Sequence, residues 1–313
     1  MRVRRLAAAA ALLGLLTVPG TAAQAEEAGG PVAVHVDVHV LSVGNYDANR
    51  GTYTLDFYLR LSWDAASAPP RFEPRLEFMN GRAASRDVIS DDTVHGERVV
   101  WYRFQANLFA QPFFRDYPFD HQHIELILED AVHPVEQLVF VPSLDGDGLD
   151  DQLRVGGWRI DRTTAAVEAK EYPFGETYSR FVYRIEVERP TLGVGLRSFL
   201  PPLAFCFVAG IAFFLHPSKV ANRITLGTGM VISAVAFHVS QTVALPSLPR
   251  LTLFDSAMIA TYTFIASSLA VTTLIMIDED YWKESDHTRQ INIWGAAVTL
   301  TLPILVFGLL RAI

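Results

Sequence analysis

The chain has 313 residues, half of them hydrophobic, a single cysteine, and a formal net charge of −8 from 26 Lys and Arg against 34 Asp and Glu. That length holds one ordinary soluble domain plus a membrane domain. The acidic balance excludes nucleic acid as a partner, since gripping phosphates takes clustered basic residues, and the lone Cys206 excludes a disulfide framework.

Arg2, Arg4 and Arg5, the apolar run Leu6 to Val18 and the small-residue stretch Ala23-Gln24-Ala25 make up the three parts of a secretory signal peptide. Residues 1–25 are therefore expected to be removed and residues 26–190 delivered outside the cytoplasm. This external stretch reads as β throughout. VAVHVDVHVLSV, GTYTLDFYLRLSW, RVVWYRFQANLF, HIELILE, EQLVFVP, WRIDRTTAAVEA and SRFVYRIEVE are short runs rich in β-branched and aromatic residues, broken by turn formers such as Asp145-Gly146-Asp147-Gly148. Many short strands and no long helix predict an immunoglobulin-like, mostly antiparallel β-sandwich.

Charged residues are common from Asp37 to Arg189 and nearly absent from the four apolar segments that follow. Those segments predict membrane helices at about 194–215, 222–245, 252–277 and 291–311, so residues 191–313 form a four-helix transmembrane bundle. The short turn between the first two carries Lys219 and Arg223. The longer one, 278–290, carries Asp278, Glu279, Asp280, Glu284 and Asp286 against Lys283 and Arg289. Orientation therefore rests on the signal peptide rather than on the count of basic residues, with the sandwich outside an inner (plasma) membrane crossed several times.

The second apolar segment, NRITLGTGMVISAVAFHVSQTVAL, is threaded with small and hydroxyl-bearing residues. Steps of four and three place Thr225, Gly229, Ile232, Ala236, Val239 and Val243 on one helical face, the spacing by which one side of a helix can look at a shared axis. The alternative is a packing helix that uses Gly227, Gly229, Ala234 and Ala236 for close contacts. Around a pore, Ile232, Val239 and Val243 would make hydrophobic constrictions, with Thr225 as the polar narrowing. His238 falls off this face, as an interhelical histidine would.

One motif decides between these readings. FFRDYPFDHQHIEL, with Tyr117-Pro118-Phe119-Asp120 and Gln122, resembles the Cys-loop segment of the pentameric ligand-gated ion channels, and the sandwich, the spans and the LPSLP turn after the second helix resemble that family over nearly the whole chain. Ala110 and Ile124 stand where the animal receptors have the disulfide, which matches the bacterial branch. The resemblance implies a homopentamer that opens a passive path for an inorganic ion through membrane lipid, with no chemical step, no cofactor and no metal. It makes Pro118, Phe119 and Asp120 a coupling loop, paired with the basic residue before the first span, Arg189, and with Asp47 and Arg250 as further partners. Cation-selective members carry an acidic residue at the inner mouth, whereas this chain reads Lys219-Val220-Ala221-Asn222-Arg223, which leaves anion or weakly selective conduction open.

The family's agonist sits between neighbouring sandwiches, in a cage of aromatic rings that can hold a cationic amine. The matching residues here are Phe78, Glu129, Asp130, Tyr172, Phe174 and Tyr178. A proton is the rival agonist, because His121, His123, His133 and several carboxylates titrate in the acid range. Two other classes of function compete with the channel. A membrane-anchored sensor or binding module would use the same sandwich without conductance. An enzyme would need a nucleophile, base and orienting group at recognisable spacing, and none is found; His35, His39, His121 and His123 alternate in strands as metal ligands could, but scattered strand histidines are usually not ligands.

Overall fold

The computed structural model describes residues 30–143, 148–243, 245–279 and 285–312. The expected signal peptide, most of the Asp145–Gly148 turn and the charged residues at 280–284 lie outside the described residues.

Nine described strands build the N-terminal domain: β1 (Val32–Asp47), β2 (Thr52–Asp64), β3 (Leu76–Phe78), β4 (Gly81–Val94), β5 (Glu97–Phe109), β6 (His121–Asp130), β7 (Leu138–Pro142), β8 (Arg159–Glu171) and β9 (Thr177–Glu188). One sheet runs β4-β5-β2-β1-β7 and the other β3-β6-β9-β8. Every pairing is antiparallel except β1 with β7. The core follows from period two. Val34, Val36 and Val38 of β1, Leu55, Phe57 and Leu59 of β2, and Phe181, Tyr183 and Ile185 of β9 all point inward and are buried. Two polar clamps join the sheets. The Tyr53 hydroxyl donates to the Glu125 carbonyl and accepts from the Glu125 amide, both at 2.8 Å, and the Asn80 amide donates to the carbonyls of Phe109 and Glu125.

Two of these strands were not expected. β3 is three residues long, and β4 is exposed along nearly its whole length because it forms the sheet edge. An edge strand without an inward apolar row carries no alternation to read.

Four helices follow: α1 (Thr191–Gly210, continued by a 3₁₀ turn Ile211–Phe214), α2 (Val220–Thr242), α3 (Leu253–Ile277) and α4 (Ser285–Ala312). Each is long and apolar enough to cross a membrane, so the chain is a multi-pass membrane protein. α1 begins three residues before its expected start, with the extended Pro190 as its N-cap and Thr191 opening the helix. α4 likewise begins six residues early, inside the polar turn. A capping box fixes the start of α3: Thr252 Oγ1 accepts from the Asp255 amide at 3.0 Å and the Thr252 amide donates to Asp255 Oδ2 at 2.9 Å. α3 is the most buried of the four and α4 the least.

Candidate functional site

Residues 113–120 lie where the sandwich meets the helices. Asp120 is fully buried, and its two oxygens have different partners: Arg189 Nε donates to Oδ1 at 2.7 Å and Gln122 Nε2 donates to Oδ2 at 2.6 Å. Gln122 is itself fixed in a two-point bond to the Phe113 backbone. The Arg189 guanidinium lies over the rings of Trp158 at 4.4 Å and Tyr117 at 5.4 Å. A charge taken out of water and bonded on every side is costly to break from one side only. Burial, with the nearby Asp120 charge adding to it, pushes the Tyr46 hydroxyl pKa far above the usual tyrosine range, as expected for a ring against a dry junction.

The same loop is bonded to three helices. The Leu253 and Phe254 amides, in the first turn of α3, donate to the carbonyls of Arg115 and Tyr117 at 2.9 and 3.0 Å. Phe119 stacks on Phe199 of α1 at 5.7 Å, and a Cβ on Gly195 would come within 3.2 Å of that ring. Arg311, at the end of α4, donates to Asp116 Oδ1 at 2.7 Å. Asp120, Phe119 and Arg189 are thus brought together around Pro118.

Asp47 and Arg250, expected as further partners, are not part of this cluster. Asp47 caps its own turn, accepting from the Asn49 and Arg50 amides, and pairs with Arg50 at 3.6 Å. A carboxylate at a turn satisfies the nearest backbone donors first. Arg250 is exposed at the rim of a small cavity in the α2–α3 loop.

α2 has two unlike sides. One is packed: Gly227 meets Leu269 so closely that a Cβ there would force the leucine side chain to shift, and Ala234 is buried. On the same side His238 bridges to α3, with Nδ1 3.0 Å from the Tyr262 hydroxyl and Nε2 2.9 Å from Asp255. Arg223, expected at a mouth, is instead buried, donating to Asn292 Oδ1 and to the Leu215 carbonyl. The other side is bare among the described residues. Thr225 and Ala236 are exposed, Ile232, Val239 and Val243 are 72%, 59% and 77% exposed, and nothing lies within 4 Å of a Cβ placed on Gly229.

A cleft of about 260 Å³ lies under the β8–β9 hairpin, lined by Glu77, Met79, Glu129, Asp130, Tyr172, Phe174, Glu176 and Tyr178. Glu129 accepts from Arg180 Nε at 2.6 Å and from the Tyr172 hydroxyl at 2.9 Å. Asp130 is consumed locally, accepting from the amides of Arg75, Val132 and His133. Phe174 is 91% exposed at the hairpin tip. Burial and the Glu129 carboxylate raise the Tyr172 hydroxyl pKa, and the bond to Glu176 raises that of Tyr178.

Phe78, expected in this cleft, is in the core instead, 5.2 Å from Phe104 and 6.3 Å from Phe57. Its strand neighbours Glu77 and Met79 take the outward places, as period two requires. Glu77, Met79, Glu176 and Arg180 were therefore missed, although the alternation in LEFMN carried the signal for the first two. Gln122 was noted only as part of the motif, and the Arg311–Asp116 pair left no local trace.

No protein-family model matches the chain. Single relatives do. A proton-gated ion channel of Gloeobacter violaceus is 26% identical over 289 residues, covering 85% of this chain and 78% of its own. The gamma-aminobutyric acid receptor subunit rho-3 of Homo sapiens is 22% identical over 299 residues, 85% of this chain and 63% of the relative. The neuronal acetylcholine receptor subunit alpha-9 of Gallus gallus is 25% identical over 185 residues, 59% of this chain and 37% of its own. The chain thus spans less than two thirds of the length of the two animal relatives.

Proposed function

Because the chain belongs to the pentameric ligand-gated ion channels, in the form without the Cys-loop disulfide, we propose that it assembles around the bare face of α2 and conducts ions passively when its sandwich binds an extracellular ligand or protons. The observation that carries the reading is that face. An apolar stripe through Ile232, Val239 and Val243, backed on its other side by tight packing, is what a shared pore axis needs and what a helix buried within one protomer does not. A homopentamer fits it, each copy contributing one stripe.

The agonist is an amine-like cation or the proton. Four carboxylates and two tyrosines around one cleft favour a cation over an anion. The relatives named above include a proton-gated channel and receptor subunits named for gamma-aminobutyric acid and acetylcholine. For the ion, the first turn of α2 holds no acidic residue, Lys219 beside it is exposed, and Arg223 is withdrawn into the bundle. That arrangement supports anion or weakly selective conduction.

Gating links the two ends of the loop at 113–120. Ligand at the cleft shifts β9, whose last residues lead to Arg189, and the Asp120–Arg189 bond passes the shift to α1 and α3. The test is recording from wild type and Ile232→Ser while external pH steps from 7.5 to 4.5, followed by primary amines at pH 7.5. Currents in either condition, opening more readily in Ile232→Ser, are expected, and reversal potentials in a salt gradient then identify the ion. Silence from both proteins with surface expression confirmed would leave an anchored binding module.

A further inference from the structure

The four carboxylates around the hairpin cleft are not equally free. Asp130 spends both oxygens on the amides of Arg75, Val132 and His133. Glu176 accepts from the Tyr178 hydroxyl at 2.7 Å. Glu77 is exposed and has no bonded partner among the described residues. Of the four, only Glu129 is matched by a permanent cation, Arg180, and that pair is secluded, its side chains 4% and 16% exposed.

Strand register sets this arrangement. Glu77 lies opposite Glu129 across β3 and β6, and Arg180 lies opposite Glu168 across β9 and β8. Glu129 and Arg180 stand one step beyond the Leu128–Phe181 pair of β6 and β9. The four side chains form one cross-strand row in which a single guanidinium stands among three carboxylates. Its contacts are graded. Nε donates to Glu129 Oε1 at 2.6 Å, Nη2 donates to the Tyr172 hydroxyl at 3.2 Å, and Nη1 is 3.6 Å from Glu168, which is 59% exposed. Arg180 therefore has a second carboxylate within reach when Glu129 is taken.

A cation entering the cleft meets this occupant. Glu129 is already neutralised, and Arg180 repels the newcomer at short range. Entry is favourable only when the newcomer replaces the bonds that Arg180 gives up, to Glu129 Oε1 and to the Tyr172 oxygen, because a secluded acceptor left without a donor is costly. A primary ammonium or a guanidinium brings the two converging N–H donors this takes. A quaternary ammonium brings none.

Resting on the cleft as the ligand site, we propose that Arg180 is a tethered competitor for the agonist. It occupies Glu129 in the unliganded protein, yields it only to a cation with N–H donors, and then rests on Glu168. Arg180 is thus a positioning residue that sets the threshold and the chemical class of the agonist.

The full-length protein in detergent is titrated at pH 7.5 with ethylammonium, guanidinium and tetramethylammonium chlorides, and heats of binding are measured, so that no current is needed. Arg180→Gln should bind ethylammonium and guanidinium at least about tenfold more tightly than wild type, because the competitor is gone and Glu129 is left unpaired. Adding Glu129→Gln to Arg180→Gln should remove the gain. Arg180→Lys, which keeps a tethered cation, should stay within about threefold of wild type. Glu168→Gln removes the second resting place and should shift affinity the other way, weakening both cations by about two- to fivefold, from a position exposed enough to spare the fold. Tetramethylammonium should gain nothing from Arg180→Gln. Gel filtration and circular dichroism show that each variant is folded, and Arg180→Met replaces Arg180→Gln if the latter does not assemble. Binding by Arg180→Gln no tighter than by wild type, a gain shared by tetramethylammonium or by Arg180→Lys, a gain that survives Glu129→Gln, or unweakened binding by Glu168→Gln would each overturn the competitor. Heat from none of the cations with any of these proteins would overturn the cleft as ligand site along with it.

Discussion

Two buried carboxylate–guanidinium pairs in the sandwich share their chemistry and differ in what surrounds them. Asp120 takes Arg189 at 2.7 Å, and Glu129 takes Arg180 at 2.6 Å. Around Asp120 the remaining oxygen is held by Gln122, which is held by Phe113, and the guanidinium is roofed by Trp158 and Tyr117. Around Glu129 the remaining oxygen is held by Tyr172, whose ring belongs to a hairpin with an exposed Phe174 at its tip and an open cleft beneath. In the first pair the carboxylate is fully buried and the guanidinium is held between two rings, which makes a joint. The second borders the cleft through Tyr172, so under the proposed function a cation in the cleft would compete for its carboxylate. Enclosure, rather than pairing, separates a structural ion pair from one that can report a ligand.

The largest effect should come from breaking the first pair. Asp120→Ala leaves Arg189 unpaired at a dry junction and is expected to cost about 3–5 kcal/mol, whereas Glu129→Ala, beside an open cleft, should cost less than half as much and act mainly on agonist potency. Thermal unfolding of both, alongside dose–response curves, makes the comparison; equal destabilisation would erase the distinction.

A second contrast uses one residue type on the two sides of the cleft. Phe78→Ala removes a ring packed between Phe57 and Phe104 and should cost about 3 kcal/mol or more. Phe174→Ala removes an exposed ring and should leave stability within about 0.5 kcal/mol. A potency change from Phe174→Ala with unchanged melting would sharpen the assignment of the hairpin to the ligand cleft.

The smallest effect belongs to the open surface of β9. Arg162 bonds Glu186 at 2.9 and 3.0 Å and, chiefly through that bond, holds the Glu186 carboxyl below the usual range. A carboxyl whose folded pKa is depressed contributes stability above its unfolded value and loses it as pH falls through the folded one. Glu186→Gln should therefore lower the melting temperature slightly at neutral pH, and the gap from wild type should close below about pH 4. A gap that persists in acid would assign the loss to packing instead.

Much of this arrangement was readable in the chain. Strands β1, β2, β5 and β9 announce themselves because each buries one row of a period-two pattern, and the four spans because lipid demands long apolar runs. The shared side of α2 that carries Ile232, Val239 and Val243 was legible for the same reason, since spacing alone sets which side chains share a helical side. What was hidden lacked local pattern. β4 offers a polar, exposed edge with no inward row. Phe78 was misplaced by one residue, which in a strand turns a side chain from cleft to core. The contact of Arg311 with Asp116 joins positions 195 residues apart, and no periodicity spans such a separation.

The loop at 113–120 also carries a timetable. Its membrane-domain partners, Gly195, Phe199, Leu253, Phe254 and Arg311, are all made after it, the last of them at the end of the fourth helix. During synthesis the sandwich can close its own core while the Arg115 and Tyr117 carbonyls and the Asp116 carboxylate still wait for their donors. The part of the domain that joins water to lipid is thus the last to be finished, and a chain stopped after α3 would leave Asp116 without its α4 donor.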